Sequence, residues 1–175
     1  MIIAVSGPAG VGKSTVAKKL ADEFGLDEIN AGKIFREMAK EREMELNEFQ
    51  KLAENDPEID KMVDQKQREI AEKEEDVVLD AWLAGWMAED NADLKVWLNA
   101  SQDVRMRRIC KREDKTFEKV KKETIKRERS NKRRYMDYYG IDLDDLSIYD
   151  VILNTGKWNV QGVVNILTEA IENLE

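Results

Sequence analysis

Gly7-Pro8-Ala9-Gly10-Val11-Gly12-Lys13-Ser14-Thr15 decides the fold of this chain. The apolar run before it, Met1-Ile2-Ile3-Ala4-Val5-Ser6, reads as a fully buried strand. After it, Val16, Ala17, Leu20 and Phe24 recur at helical spacing. Strand, glycine-rich turn and helix together are the setting in which the pattern G-x-x-x-x-G-K-[ST] makes a phosphate cradle. Gly7, Gly10 and Gly12 let successive backbone N–H groups converge on one concavity. The helix adds its unpaired N–H groups and positive end. On this reading Gly7, Pro8, Ala9, Gly10, Val11, Gly12, Lys13, Ser14 and Thr15 hold a polyphosphate largely by backbone. Lys13 reaches the β- and γ-phosphates, and Ser14 offers its hydroxyl to Mg2+. A glycine-rich turn with a surface lysine is the plain alternative, and it leaves the flanking strand and helix unexplained.

The 175 residues suit one domain with a real core. A single cysteine, Cys110, forms no intramolecular disulfide, and the absence of histidine argues against a zinc site or a serine–histidine triad. With no leader-like start and no apolar run of membrane-spanning length, a cytoplasmic protein is expected. The net charge is −8, unevenly spread: residues 105–134 carry +10 and the remainder −18. One basic segment in an acidic chain points to a localised anion-handling element, not to a nucleic-acid surface. A solvated helix face is the bland reading of the same run.

Strands and helices alternate along the chain, which predicts an α/β fold with a parallel sheet and helices on both faces. Residues 26–30 supply a short strand, and a helix begins at Ala31. From 46 to 74 the sequence is helical and charged, broken at Asn55-Asp56-Pro57, where Asp56 caps a helix with Pro57 in its first turn. Its sparse apolar residues, Ile59, Met62, Val63 and Ile70, predict packing on one face, as in a helical insertion. Val77-Val78-Leu79-Asp80 is the next buried strand. Asp80 stands at its C-terminal end, where open parallel sheets bind ligands and a carboxylate completes a magnesium site through water. Residues 94–99 and 150–154 are further strands, and Val160, Val163, Val164, Leu167 and Ile171 mark a closing amphipathic helix. In the basic stretch, Arg108 and Arg112 share a helix face, as do Arg127 and Arg134. Arginine suits phosphate because its planar fork binds oxygens in pairs and keeps its charge.

Several stretches are more specific than the phosphate loop: Asn30-Ala31-Gly32-Lys33-Ile34-Phe35-Arg36, Leu83-Ala84-Gly85-Trp86-Met87 and residues 127–135. With the tail 139–150 they resemble the nucleoside monophosphate kinases, and among these the archaeal-type cytidylate kinases, over nearly the whole chain. The resemblance implies a five-stranded P-loop kinase fold and ATP-dependent phosphorylation of CMP and dCMP with Mg2+. It implies that Lys13 stabilises the transferring group, that Arg36 clamps the monophosphate, and that residues 31–74 form the monophosphate-binding insertion. Residues of roughly 110–140 would form a lid, with Arg108 on the ATP base beside Arg112, and with Arg127 and Arg134 reaching the transferring phosphoryl group. A monomer is expected, without nucleic-acid or membrane partners.

Three departures stand out. Asp80-Ala81-Trp82 stands where the family leads one to expect Glu-Ser-Arg, and Asn30 and Lys33 where serine and aspartate are expected. An arginine in place of Trp82 would contact the acceptor phosphate; losing such a charge-assisted partner costs about 1.5–3 kcal/mol if nothing replaces it. The implied chemistry is direct in-line transfer, since a phosphate oxygen is already anionic and needs no strong base. Kinases for AMP or UMP share these parts, and a nucleotide-dependent switch that only hydrolyses ATP is the reading from another class.

Overall fold

The computed structural model describes residues 1–174, the side chains at 47, 50, 54 and 55 excepted. Five parallel strands, β1 (Ile2–Ser6), β2 (Asp27–Asn30), β3 (Val77–Asp80), β4 (Leu94–Asn99) and β5 (Val151–Asn154), lie in the order β2-β3-β1-β4-β5. The register pairs Val5 with Asp80 and Asn30 with Asp80, so these C-terminal strand ends share one edge of the sheet.

Both faces are covered, which is why β1 and β3 are apolar at every position before their terminal Ser6 and Asp80. Alternate residues divide between the two sides. Ile3, Val5, Val78, Val96 and Leu98 pack with Leu20 of α1 (Lys13–Phe24) and Leu167 of α8 (Val160–Glu172). Ile2, Ala4 and Leu79 pack with Ala71 of α4 (Pro57–Lys73) and Ala84 of α5 (Ala84–Ala88). Across the sheet edge, Ser6 Oγ accepts from the Gly85 N–H at 2.9 Å and ties α5 to the end of β1.

The insertion has a core of its own. Ile34 and Met38 of α2 (Ala31–Glu41), Phe49 of α3 (Leu46–Asn55), and Ile59 and Val63 of α4 form one buried cluster. Met62, counted by spacing with the packed face, stands off it at 42% exposure. Local capping follows the sequence: Asp56 accepts from the Glu58 N–H at 3.0 Å with Pro57 in the first turn. Asn30 caps α2 by accepting from the Lys33 N–H at 2.8 Å. Asparagine caps a helix as well as serine does, so this departure leaves the local structure intact.

The basic stretch forms α6 (Gln102–Glu113) and α7 (Phe117–Tyr139), joined by a turn in which Asp114 takes a left-handed conformation. Met106, Ile109 and Val120 are buried between them, with Ala9 of the glycine-rich loop packed against the cluster.

Candidate functional site

The glycine-rich loop is wedged between the end of β4 and α6, and the fit explains two of its glycines. A Cβ at Gly7, whose φ is 143°, would stand 2.2 Å from the Leu98 carbonyl oxygen. One at Gly10, at φ 84°, would stand 2.7 Å from the Arg105 carbonyl oxygen. Neither approach tolerates a side chain, and both left-handed conformations favour glycine. No side chain caps α1, so its first N–H groups remain available to an anion. Loop, first turn of α1, Arg108, Arg112, Thr155 and Trp158 line a cavity of about 450 Å3.

Lys13 Nζ donates to the Pro8 carbonyl at 3.2 Å. Burial lowers its pKa to about 8; the charges of Arg127, Arg112 and Arg105 push the same way, and Asp80 pulls against them. So much positive charge around one ammonium matches a polyphosphate. Asp80 is only 6% exposed at the end of β3. Burial raises its pKa, while a hydrogen bond from Ser14 and the charge of Lys13 oppose the rise. The Ser14 hydroxyl and Asp80 carboxylate thus lie together beside the cradle. Among the described residues no group of three or more His, Cys, Asp and Glu could cage a metal. The oxygen pair fits an ion that completes its shell with phosphate and water oxygens, as Mg2+ does.

Arg108 is fixed by four bonds. Its Nη1 donates to Gly10 O at 3.4 Å, Val11 O at 3.2 Å and Thr155 Oγ1 at 2.9 Å, and its Nη2 to Thr155 O at 2.8 Å. The buried Thr155 hydroxyl in turn donates to Val11 O at 2.8 Å, tying the turn after β5 to the loop. Arg112 lines the same cavity while paired with Glu113 at 3.0 Å. Trp158 also lines it at 51% exposure, a residue the sequence reading passes over.

Arg127 and Arg134 sit on one helix but serve different places. Arg127 is close enough to Lys13 to depress its pKa. Arg134 pairs with Asp60 of the insertion and donates to Asn131 Oδ1 at 3.0 Å. Arg105, which spacing does not distinguish from its basic neighbours, is buried. Its Nη1 donates to Ala9 O at 3.0 Å and to Glu128 Oε1 at 2.5 Å, pinning α7 to the loop. The available signal was its place one turn before Ile109, on the face that packs.

Arg36 lies in the insertion, where it lines an open groove of about 590 Å3 with Gly32, Phe35, Asp60 and Val63. Ala31, Asp60 and Val63 also line an adjoining cavity of about 210 Å3, walled by Asp64, Gln67, Trp82, Asn131 and Tyr135. Trp82 therefore belongs to this second cavity. Burial raises the Asp64 pKa to about 6, against a hydrogen bond from Tyr139 Oη at 3.2 Å.

The sequence model of the cytidylate kinase-like family matches residues 2–157, which include the glycine-rich loop, the insertion and α7. The chain belongs to that family. A cytidylate kinase of Haloarcula marismortui is 51% identical over 99% of this chain and 90% of its own length. One of Pyrococcus horikoshii is 51% identical over 100% of this chain and 90% of its own length. Among solved structures, a shikimate kinase of Bacteroides thetaiotaomicron superposes with a TM-score of 0.63, at 19% identity over 98% of each chain, and shares the fold. Against these kinase folds, the five-stranded parallel sheet with helices on both faces stands as the sequence predicts.

Proposed function

We infer that this cytidylate kinase-like chain transfers the γ-phosphoryl group of ATP to CMP, and to dCMP, by direct in-line displacement. The observation that carries the reading is the pairing of two unlike sites in a chain of this family. A cationic phosphate cradle at the end of β1 accompanies a separate arginine-bearing groove in the insertion. Its relatives are named cytidylate kinases.

In this reading the loop and the N-terminus of α1 bind the ATP phosphates, and Lys13 neutralises charge on the transferring group. Arg108 and Trp158 bound the donor base. Ser14 and Asp80 would hold Mg2+, which would neutralise phosphate charge. Arg36 takes the acceptor phosphate, Arg127 approaches the phosphates from α7, and Arg134 draws α7 onto the insertion through Asp60. Residues 31–74 act as the monophosphate-binding insertion and residues of roughly 110–140 as the lid, whose closure excludes water. The enzyme acts as a cytoplasmic monomer. Among the described residues no helix is long and apolar enough to cross a membrane.

The test is product stoichiometry with ATP, CMP and Mg2+. Equal molar yields of ADP and CDP support transfer. Slow ADP release at a rate indifferent to CMP marks a hydrolytic switch and refutes it.

A further inference from the structure

We propose that Asp60 is a stand-in for the acceptor phosphate: it holds Arg134 beside the groove of Arg36 until the acceptor's phosphate takes the guanidinium from it. The assignment rests on the kinase reading above, but it concerns the acceptor's phosphate and not its base.

The charged residues in the wall of that groove are Arg36 and Asp60. Alone they cancel, which is a poor setting for a phosphate dianion. Arg134 of α7 brings a second positive charge to the groove through its pair with Asp60. The Arg134 side chain is 26% exposed and that of Asp60 43%, against 9% and 15% in the Arg105–Glu128 pair. A carboxylate exposed to this degree can return to water, so the Asp60 pair exchanges at small cost. A phosphate dianion is the stronger rival for a guanidinium, with twice the charge and three oxygens to offer its planar fork.

Such an exchange leaves α7 docked. Two other contacts join it to α4: Lys61 Nζ stands 4.5 Å from the centre of the Tyr138 ring, and Tyr139 Oη donates to Asp64 Oδ2 at 3.2 Å. Asp60, Lys61 and Asp64 lie within about one turn of α4, and Arg134, Tyr138 and Tyr139 within about one and a half turns of α7. Asn131 Oδ1 accepts from Arg134 Nη2 at 3.0 Å and steadies that side of the fork. Nη1, on Asp60, is the arm that changes partner. Asp60 is therefore a positioning residue: it keeps the guanidinium at the groove and competes with the acceptor for it.

Asp60→Asn keeps an oxygen for Arg134 and removes the competing charge. Initial rates at varied CMP and ATP read the result. KM for CMP should fall about two- to fivefold, what a half-exposed pair is worth, with KM for ATP unchanged. Asp60→Glu, which keeps the charge, should not share the fall. Adding Arg134→Met to Asp60→Asn should raise KM for CMP about tenfold or more, because the phosphate then loses its guanidinium. An unchanged or higher KM for CMP in Asp60→Asn overturns the proposal, since a merely structural link between α4 and α7 would move KM upward. So does a fall that Asp60→Glu shares. A double variant that keeps the KM of Asp60→Asn also overturns it, because Arg134 would then neutralise Asp60 without reaching the acceptor. If the wild type prefers another monophosphate, the CMP reading alone fails, and the same variants measured with that acceptor decide the role of Asp60. A wild type that makes no diphosphate from any monophosphate overturns the kinase reading, and this assignment with it.

Discussion

Glu128→Ala should loosen α7 more than any other single change in the basic stretch. The side chains of Arg105 and Glu128 are 9% and 15% exposed, and their ion pair is the link from α7 through α6 to Ala9 of the phosphate loop. Removing the carboxylate leaves a buried guanidinium that, among the described residues, has the Ala9 carbonyl to meet it. Breaking a buried pair in this way costs about 3–5 kcal/mol. At about 2–4 °C per kcal/mol for a chain of this size, the melting temperature should fall by about 6–20 °C. Because α7 packs on α6 through a small cluster, part of the loss should appear locally, as faster amide hydrogen exchange along α7. The double variant Arg105→Met with Glu128→Met separates charge from packing, since apolar residues of similar volume often replace a buried pair at little cost. It should recover most of the stability lost by Glu128→Ala. A melting temperature within about 2 °C of wild type for Glu128→Ala, with exchange in α7 unchanged, would refute the buried latch. So would a double variant as unstable as Glu128→Ala.

Three further outcomes follow from the same geometry. Lys13→Ala should lower kcat by about a hundredfold or more while the melting temperature holds, as removal of one charge-stabilising donor does elsewhere. Arg36→Ala should raise KM for the acceptor about 10- to 150-fold with KM for ATP nearly constant, the equivalent of about 1.5–3 kcal/mol; unchanged acceptor kinetics would sink the clamp assignment. Asp64, faced by Asp60, Arg134 and Tyr139, is raised from 3.8 to about 6, first by burial. A raised carboxyl pKa contributes stability fully below pH 4 and loses it as pH climbs through about 6, a change worth at most about 3 kcal/mol. Relative to wild type, the melting temperature of Asp64→Asn should therefore improve between pH 4.5 and pH 7.5, and a difference flat across that range would exclude burial as the cause.

What the sequence makes legible is what local chemistry controls. The glycine-rich loop, the Asp56-Pro57 helix start and the alternation of strands and helices depend on residues a few positions apart, and the structure keeps all of them. Arg127 and Arg134 do share one helix, but the spacing that puts them there is silent about what each end of a 23-residue helix meets. Asp60 is 74 residues from Arg134, and no periodicity announces such a partner. Arg105 hides for a related reason: among the 15 basic residues of 105–134, burial and not charge sets it apart, and burial is a tertiary property. The inward bonds of Arg105 and Arg108 go to backbone carbonyls of the glycine-rich loop. Trp82 is the sharpest case. Read as a missing arginine it is a loss; in the structure its ring packs against the cluster of Leu83 and Met87 and lines a cavity with Asp64 and Gln67.

The acceptor panel tests the central claim most directly. With ATP and Mg2+ saturating, kcat/KM is measured for CMP, dCMP, UMP and AMP by following the diphosphate formed from each. The account predicts CMP and dCMP well ahead of UMP and AMP, with one ADP released for each diphosphate made. AMP or UMP preferred over CMP by a wide margin, or ADP released without any diphosphate product, would contradict it.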